Sequence, residues 1–170
     1  NKNCKFFLAT GKNNEEQIIL KEILNSKFKN ICFPLDNFSI KETLPIIKNC
    51  NLSICNDSSF SHLSAALGIK TITLMADTPL IYGSYSSKMF PIIPDGEETV
   101  THNTLGKEKI SPQKIFDKIL EILSKLFPLS IFLPRADVSL DIRQRSSGMG
   151  GREIFENQSD WNRLEVFEIR

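Results

Sequence analysis

Short apolar runs alternate with helix-forming segments along the first 127 residues of the 170-residue chain. The strands predicted from these runs are 4–9, 30–33, 52–55 and 70–75, with a short fifth strand over 90–93. The helices predicted from apolar residues at helical spacing are 15–27, 39–49, 59–67 and 111–126. Because the connections are long enough for right-handed parallel βαβ units, the pattern predicts an α/β fold with a Rossmann-like parallel sheet and flanking helices.

Individual residues predict where several of these elements begin and end. Ser39 followed three residues later by Glu42 forms a capping-box pattern at the start of a helix. Gly68 stands where a helix would end in a left-handed residue, and Pro112 suits the first position of the last helix. Pro91 within the fifth strand predicts a place at the edge of the sheet.

The segment from Asn56 to Gly68 joins a predicted strand to a predicted helix, and it carries polar residues at that junction. They are an acidic residue, two hydroxyls and a histidine: Asp57, Ser58, Ser59 and His62. In α/β sheets ligands bind outside the carboxyl ends of the strands, where this junction would lie. A helix start offers unpaired N–H groups and a positive dipole end, so the junction is predicted to bind an anion such as a diphosphate.

Each of these residues also has a purely structural interpretation. Asp57 either caps the helix with its carboxylate or orients a donor sugar and organises the loop. Ser58 and Ser59 either cap the helix or donate to phosphate oxygens. His62, about one turn into the helix, either donates to a diphosphate or is merely exposed. Ala65 and Ala66 are interpreted as a small face for close packing of the helix on the sheet, and His102 as a solvated loop residue.

Composition argues against several kinds of partner. The net charge of +1 gives no support to binding of nucleic acid. Four cysteines without a C-x-x-C pair, together with two histidines, give little support to a metal site. Apolar runs are shorter than a membrane helix needs, and the start has neither an initiator Met nor a signal-peptide pattern. We therefore expect an N-terminally incomplete piece of a cytoplasmic protein.

Lysine and arginine are separated along the chain. All 15 lysines lie between Lys2 and Lys125, and all six arginines lie between Arg135 and Arg170. The segment 143–152 is polar and glycine-rich, without helical or strand periodicity. We expect a domain over 1–127 and an atypical tail over 128–170 that is either disordered, a foreign reading frame, or a genuine but poorly structured extension.

The junction motif resembles the donor-binding domain of glycosyltransferase family 9, the ADP-heptose:lipopolysaccharide heptosyltransferases. That family has a strand followed by Asn-Asp-[Ser/Thr]-Gly-x-x-His-x-Ala-Ala-Ala-Leu-Gly, which is similar to residues 56–68 here. The resemblance extends to Gly11 and Glu15, to the helix over 39–44 and to Tyr82-Gly83, and it covers about residues 3–127. Two departures stand out: Ser59 replaces the motif glycine, and Met-Ala-Asp-Thr over 75–78 replaces Phe-Gly-Pro-Thr.

The resemblance implies the C-terminal half of a GT-B glycosyltransferase. Its domain 1–127 would bind a nucleotide-sugar such as ADP-heptose and serve an inverting transfer to a lipopolysaccharide-type glycan acceptor, without cofactor or metal. The donor contacts that it implies are Asp57, Ser58, Ser59 and His62 at the diphosphate and sugar, with Gly11 and Glu15 near the ribose. It places the catalytic base, an Asp, in a missing N-terminal domain, so no catalytic residue is assigned here. The fragment alone is expected to be inactive, and the enzyme to be cytoplasmic or peripheral at the inner membrane.

Two other functions remain open at this point. A non-catalytic nucleotide- or anion-binding module would bind phosphate and ignore the sugar. Half of a sugar-nucleotide epimerase would belong to an enzyme that interconverts a free nucleotide-sugar with no acceptor present.

Overall fold

The computed structural model describes residues 4–126 and the backbone of 165–169. The strands are β1 (Lys5–Ala9), β2 (Cys32–Pro34), β3 (Leu52–Asn56), β4 (Lys70–Leu74), β5 (Met89–Ile92) and β6 (Glu165–Ile169). The helices are α1 (Asn14–Asn25), α2 (Ile40–Lys48), α3 (Ser59–Ala66), α4 (Ile81–Ser84) and α5 (Pro112–Leu126), with a short 3₁₀ helix over Lys107–Lys109. The predicted alternation of strands and helices is confirmed.

The strands form one sheet in the order β2-β1-β6-β3-β4-β5. Strand β1 is parallel to β2, and β3, β4 and β5 are parallel to one another. Strand β6 runs antiparallel to both β1 and β3, so the other five strands all point the same way. From β1 the next strand in sequence, β2, lies toward one edge of the sheet, whereas from β3 the next strands, β4 and β5, lie toward the other edge. The space between β1 and β3 is therefore the topological switch point. The predicted Rossmann-like α/β fold is confirmed.

Helices cover both faces of this sheet. On one face α1 packs on β1 and α5 packs on β3, β4 and β5, through apolar side chains that alternate along each strand. On the other face α2 and α3 pack on Phe7, Ala9 and Cys55. The result is a three-layer domain in which the start of every helix that follows a parallel strand lies near one edge of the sheet.

Helix α3 approaches the sheet through small side chains. Ser53 on β3 and Ser64 on α3 are fully buried, and their hydroxyl oxygens are 3.0 Å apart. Ala65 is buried as predicted, but Ala66 is exposed. The interpretation of Ala66 as part of the packing face is therefore wrong, because successive helical residues point about 100° apart and Ala66 falls outside the face that Ser61, Ser64 and Ala65 bury.

The predicted helix signals are confirmed. The Ser39 hydroxyl accepts from the Glu42 N–H, and the Glu42 carboxylate accepts from the Ser39 N–H at 2.8 Å, which completes the capping box. The Ser39 hydroxyl also donates to this carboxylate at 2.6 Å, and that bond, followed by the bond from the Ser39 N–H, holds the pKa of the Glu42 carboxyl below its usual value. Gly68 follows α3 with a φ of 86°, Pro112 is the first residue of α5, and Pro91 lies in the edge strand β5.

Part of the predicted tail belongs to the sheet. Residues 127–164 lie outside the described residues, so the prediction of a disordered or foreign segment stays a prediction there. Residues 165–169 form β6, which pairs with all five residues of β1 and with Leu52–Ile54 of β3. The sequence pattern did not predict this strand.

A proline in β6 tests whether this strand supports the sheet. Val166 pairs with Leu8 on one side and Ile54 on the other, so Val166→Pro removes a backbone donor from the centre of the sheet. We expect a loss of about 1–3 kcal/mol in the free energy of unfolding, measured by urea denaturation. Val166→Thr, which keeps the N–H and the β-branch, is the control, and equal stability of the two variants would contradict a structural role for β6.

Candidate functional site

The residues singled out by sequence lie at one edge of the sheet. Because β1, β3 and β4 point the same way, the segments that follow them all emerge at their shared carboxyl edge. These segments carry Gly11 after β1, Asp57 after β3 and Thr78 after β4. The edge at the switch point is where ligands bind in open α/β sheets.

Ser58 caps helix α3. Its backbone is extended, and its hydroxyl oxygen accepts from the Phe60 N–H at 3.2 Å. The Ser61 hydroxyl donates to the Ser58 carbonyl at 2.7 Å, which secures the same turn. The interpretation of Asp57 as the helix cap is therefore wrong, and the Asp57 carboxylate makes other contacts.

Asp57 is fixed between two loops. Its side chain is only 8% exposed, and one carboxylate oxygen, Oδ2, accepts from the Thr78 hydroxyl. Its other oxygen, Oδ1, lies 3.9 Å from Nε2 of His62. The Asp57 N–H donates to the Leu74 carbonyl at 3.2 Å, so backbone and side chain both tie the end of β3 to the end of β4. A nearly buried carboxylate needs such donors, because burial without them is costly.

His62 contacts a second aromatic residue on its far side. Its Nδ1 lies 2.8 Å from the Tyr85 hydroxyl. The two rings are stacked, with centroids 5.7 Å apart and planes 14° from parallel. The His62 side chain is 40% exposed, so a ligand at this edge can reach it.

Gly83 brings helix α4 close to the end of β4. Gly83 is buried, and a Cβ added there would lie 2.0 Å from Sδ of Met75, which is itself fully buried. The position therefore requires a residue without a side chain. This close approach sets where the loop carrying Tyr85 leaves α4.

Ser59 occupies the place of the family's motif glycine without backbone strain. It is the first residue of α3 and is exposed. Within the described part of the chain, Leu105 is the one non-glycine residue with a positive φ. A serine is therefore compatible with this turn, and the N–H of the first helical residue still has no partner within the helix.

Gly11 and Glu15 lie at the same edge, on the other side of β6. The Gly11 N–H donates to the carboxylate of Glu16, and Asn13 caps α1 by accepting from the Glu16 N–H at 2.9 Å. Glu15 is exposed in the first turn of α1. Since one strand separates β1 from β3, this loop is about 10 Å from the Asp57 loop. A ligand that touches both must span that distance.

The structure adds three residues that sequence reasoning did not single out. Thr78 and Tyr85 complete the contacts of Asp57 and His62, and Glu16 closes the Gly11 loop. Thr78 had a signal, because it keeps the final threonine of the family's Phe-Gly-Pro-Thr segment while the three residues before it differ. Tyr85 had only its place two residues after Gly83.

Among the described residues there is neither a metal-binding cluster nor a membrane-spanning helix. Over 4–126 and 165–169, no cluster of three or more His, Cys, Asp or Glu side chains could hold a metal ion. In the same residues no helix has both the length and the apolar character needed to cross a membrane. The four cysteines, all within the described residues, form no disulfide, and burial raises the pKa of the Cys32 thiol.

The parallel sheet with a capped helix start at its switch point defines a Rossmann-like domain. The chain belongs to glycosyltransferase family 9 (heptosyltransferase), whose family model matches residues 1–109. It is 29% identical over 126 residues to "Lipopolysaccharide heptosyltransferase 1" of Campylobacter coli. That match covers 72% of this chain and 36% of the relative, so the chain spans about a third of that relative's length. No solved structure matches the chain. The resemblance inferred from the junction motif is confirmed.

Thr78→Val tests the bond that fixes Asp57. It removes the hydroxyl and leaves a nearly buried carboxylate oxygen without its donor, so we expect a loss of about 1–3 kcal/mol in the free energy of unfolding. Thr78→Ser keeps the hydroxyl and is the matched control. Urea denaturation of both variants decides the point: a loss confined to Thr78→Ser, with Thr78→Val as stable as the wild type, would mean that packing of the threonine methyl matters and the hydrogen bond does not.

Gly83→Ala tests the close approach of α4. The added methyl would overlap the Met75 sulfur, so we expect a loss of about 1–3 kcal/mol in the free energy of unfolding, measured by thermal and urea denaturation. Ser84→Ala, at an exposed position of the same helix, is the control. A fully stable Gly83→Ala variant would show that α4 does not need this close approach.

Proposed function

We propose that this chain is the donor-binding part of a glycosyltransferase that moves heptose from a nucleotide-sugar, ADP-heptose, to a lipopolysaccharide-type glycan acceptor. The observation that carries the proposal is the Asp57 carboxylate, nearly buried, held by Thr78 and facing His62 beside the start of α3. Membership of glycosyltransferase family 9 and the name of the Campylobacter coli relative support the choice of reaction.

Different groups at this edge of the sheet suit different parts of the donor. The start of α3 supplies backbone N–H groups and a positive dipole end, and Ser58 and Ser59 add hydroxyls, all suited to the diphosphate. A carboxylate accepts hydrogen bonds and repels phosphate, so Asp57 suits a hydroxyl of the sugar. His62, between these two regions, suits an oxygen of either one.

The nucleoside belongs on the β1 side of the edge. Gly11 leaves room for close approach of a ligand to the backbone, and Glu15 offers an exposed carboxylate in the first turn of α1. An ionised carboxylate accepts hydrogen bonds, so Glu15 suits the ribose hydroxyls. The distance of about 10 Å between the two loops suits a ligand as long as a nucleotide-sugar.

Transfer requires the bond between the anomeric carbon and the diphosphate oxygen to break as the acceptor hydroxyl attacks from the opposite face. Attack from that face inverts the anomeric configuration. The developing charge on the leaving diphosphate is stabilised by the α3 N–H groups and by His62, so the mechanism we propose uses no metal ion and no cofactor. The acceptor proton goes to a base, an Asp, outside the residues described above.

We propose that donor and acceptor meet in a cleft between two domains and that this chain supplies the donor side. The base and the acceptor site belong to a second domain, so we propose that the 170-residue chain binds the donor without transferring its sugar. The working enzyme would act on the cytoplasmic side of the inner membrane, where a glycan acceptor anchored in lipid is presented.

Donor binding by the purified chain tests the proposal. By isothermal titration calorimetry we expect ADP-heptose to bind more tightly than ADP, because only the sugar reaches Asp57. Asp57→Ala and His62→Ala should each weaken ADP-heptose binding by about 1–3 kcal/mol, the scale of hydrogen bonds to charged groups. His102→Ala, in an exposed loop, is the matched control and should bind as the wild type does.

Two outcomes would replace this function by another. If ADP and ADP-heptose bind equally and Asp57→Ala changes neither, the chain is a module that recognises a nucleotide or an anion. If the chain interconverts a free nucleotide-sugar with no acceptor, detected by NMR of the sugar, it belongs to an epimerase.

A further inference from the structure

We propose that Tyr85 is a positioning residue for His62. Its hydroxyl anchors Nδ1 of the imidazole and its ring fixes the imidazole plane, so that the Nε2–H tautomer favoured by Asp57 presents its proton to the bound donor. The proposal rests on the donor-binding function proposed above, and it assigns Tyr85 a role through His62 without contact to the ligand.

The tautomer follows from the groups on the two sides of the His62 ring. Nε2 faces Oδ1 of Asp57 at 3.9 Å, and the other oxygen of this carboxylate already accepts from Thr78. A carboxylate only accepts, so an Nε2 without a proton would place two lone pairs against each other. Neutral His62 is therefore favoured with its proton on Nε2.

The protonation of Nε2 determines the direction of the hydrogen bond between Nδ1 of His62 and the Tyr85 hydroxyl. With the proton on Nε2, Nδ1 is an acceptor, and the Tyr85 hydroxyl at 2.8 Å must donate to it. The hydroxyl can equally accept from a protonated Nδ1, so Asp57 sets the tautomer through Nε2 and the bond to Tyr85 anchors Nδ1 in place.

Stacking fixes the plane of the imidazole. His62 is 40% exposed, and an exposed imidazole turns readily about its second side-chain torsion, which puts ring carbons where the two nitrogens were. The Tyr85 ring lies nearly parallel to it, with centroids 5.7 Å apart. Tyr85 is placed in turn by α4, which Gly83 allows to pack on Met75.

The consequence is a proton kept available for the ligand. The 3.9 Å between Nε2 and Oδ1 is too long for a direct hydrogen bond, so Asp57 orients the Nε2–H without consuming it. A donor oxygen that enters this edge can accept that proton. Loss of the Tyr85 hydroxyl releases Nδ1, so the ring turns in a fraction of the molecules and presents a ring carbon there instead.

A double-mutant cycle tests whether Tyr85 acts through His62. ADP-heptose affinity is measured by calorimetry on the full 170-residue chain for wild type, Tyr85→Phe, His62→Ala and the double variant. We expect Tyr85→Phe to weaken binding roughly three- to tenfold alone, the range for one hydrogen bond, and by less than about twofold when His62 is Ala. Tyr82→Phe, at an exposed tyrosine on the same short helix, is the matched control and should bind as the wild type does.

Nitrogen NMR of the histidine rings gives a readout that a merely structural role would not change. We expect neutral His62 to show a protonated Nε2 and a hydrogen-bonded Nδ1, and Tyr85→Phe to move the Nδ1 signal toward that of a free acceptor. His102 serves as the internal reference in every spectrum.

Failure of the role of Tyr85 and failure of the proposed donor binding give different results. Equal weakening by Tyr85→Phe in both backgrounds, or His62 signals unchanged in Tyr85→Phe, would overturn the role of Tyr85 while leaving donor binding intact. If wild type binds neither ADP-heptose nor ADP, the proposed function fails, and the NMR comparison alone decides whether Tyr85 sets the state of His62.

Discussion

Close packing of α3 on β3 and β4 is the constraint on which the site depends. The side chains between them are small, and the buried pair Ser53 and Ser64 meets at 3.0 Å across the interface. A larger residue at either position would push the helix outward, because the interior has no spare volume. The start of α3, with Ser58 as its cap, would then move away from the sheet edge where Asp57 lies.

The Asp57 carboxylate connects this packed interface to the polar side chains at the sheet edge. It joins the loop after β3 to the loop after β4 through Thr78, and it faces His62 on α3. Three elements therefore meet at one acidic side chain that is only 8% exposed. Such a group has little freedom to reorganise, and preorganised polar groups are what a site for a charged donor requires.

Sequence patterns predicted the parts of the fold that depend on local chemistry. The alternation of strands and helices, the Ser39 capping box, the turn at Gly68 and the proline at the start of α5 follow from propensity, capping and period. The junction motif identified the family and placed Asp57 and His62 at the sheet edge, where the structure also puts them.

Other features depend on pairs distant in sequence, which no local pattern encodes. Thr78 is 21 residues from Asp57, and Tyr85 is 23 residues from His62, so their contacts exist only once β4 and α4 are in place. The exposure of Ala66 depends on how α3 is rotated against the sheet. Strand β6 joins β1 and β3 from a segment whose composition predicted no structure.

The chain belongs to glycosyltransferase family 9 and has a Rossmann-like fold. It spans about a third of the length of its Campylobacter coli relative, and the residues described here supply acceptors, donors and a helix start suited to a nucleotide-sugar. The groups proposed to bind the donor lie on both sides of the switch point. We therefore propose that the donor lies across the carboxyl edge of the sheet.

Backbone NMR of the labelled chain, titrated with ADP-heptose, tests that claim most directly. If the donor binds there, shift changes will be concentrated in 10–16, 57–62 and 78–85, the segments that follow β1, β3 and β4. Changes concentrated at the opposite edge, in 27–31, 49–51 and 67–69, would contradict it.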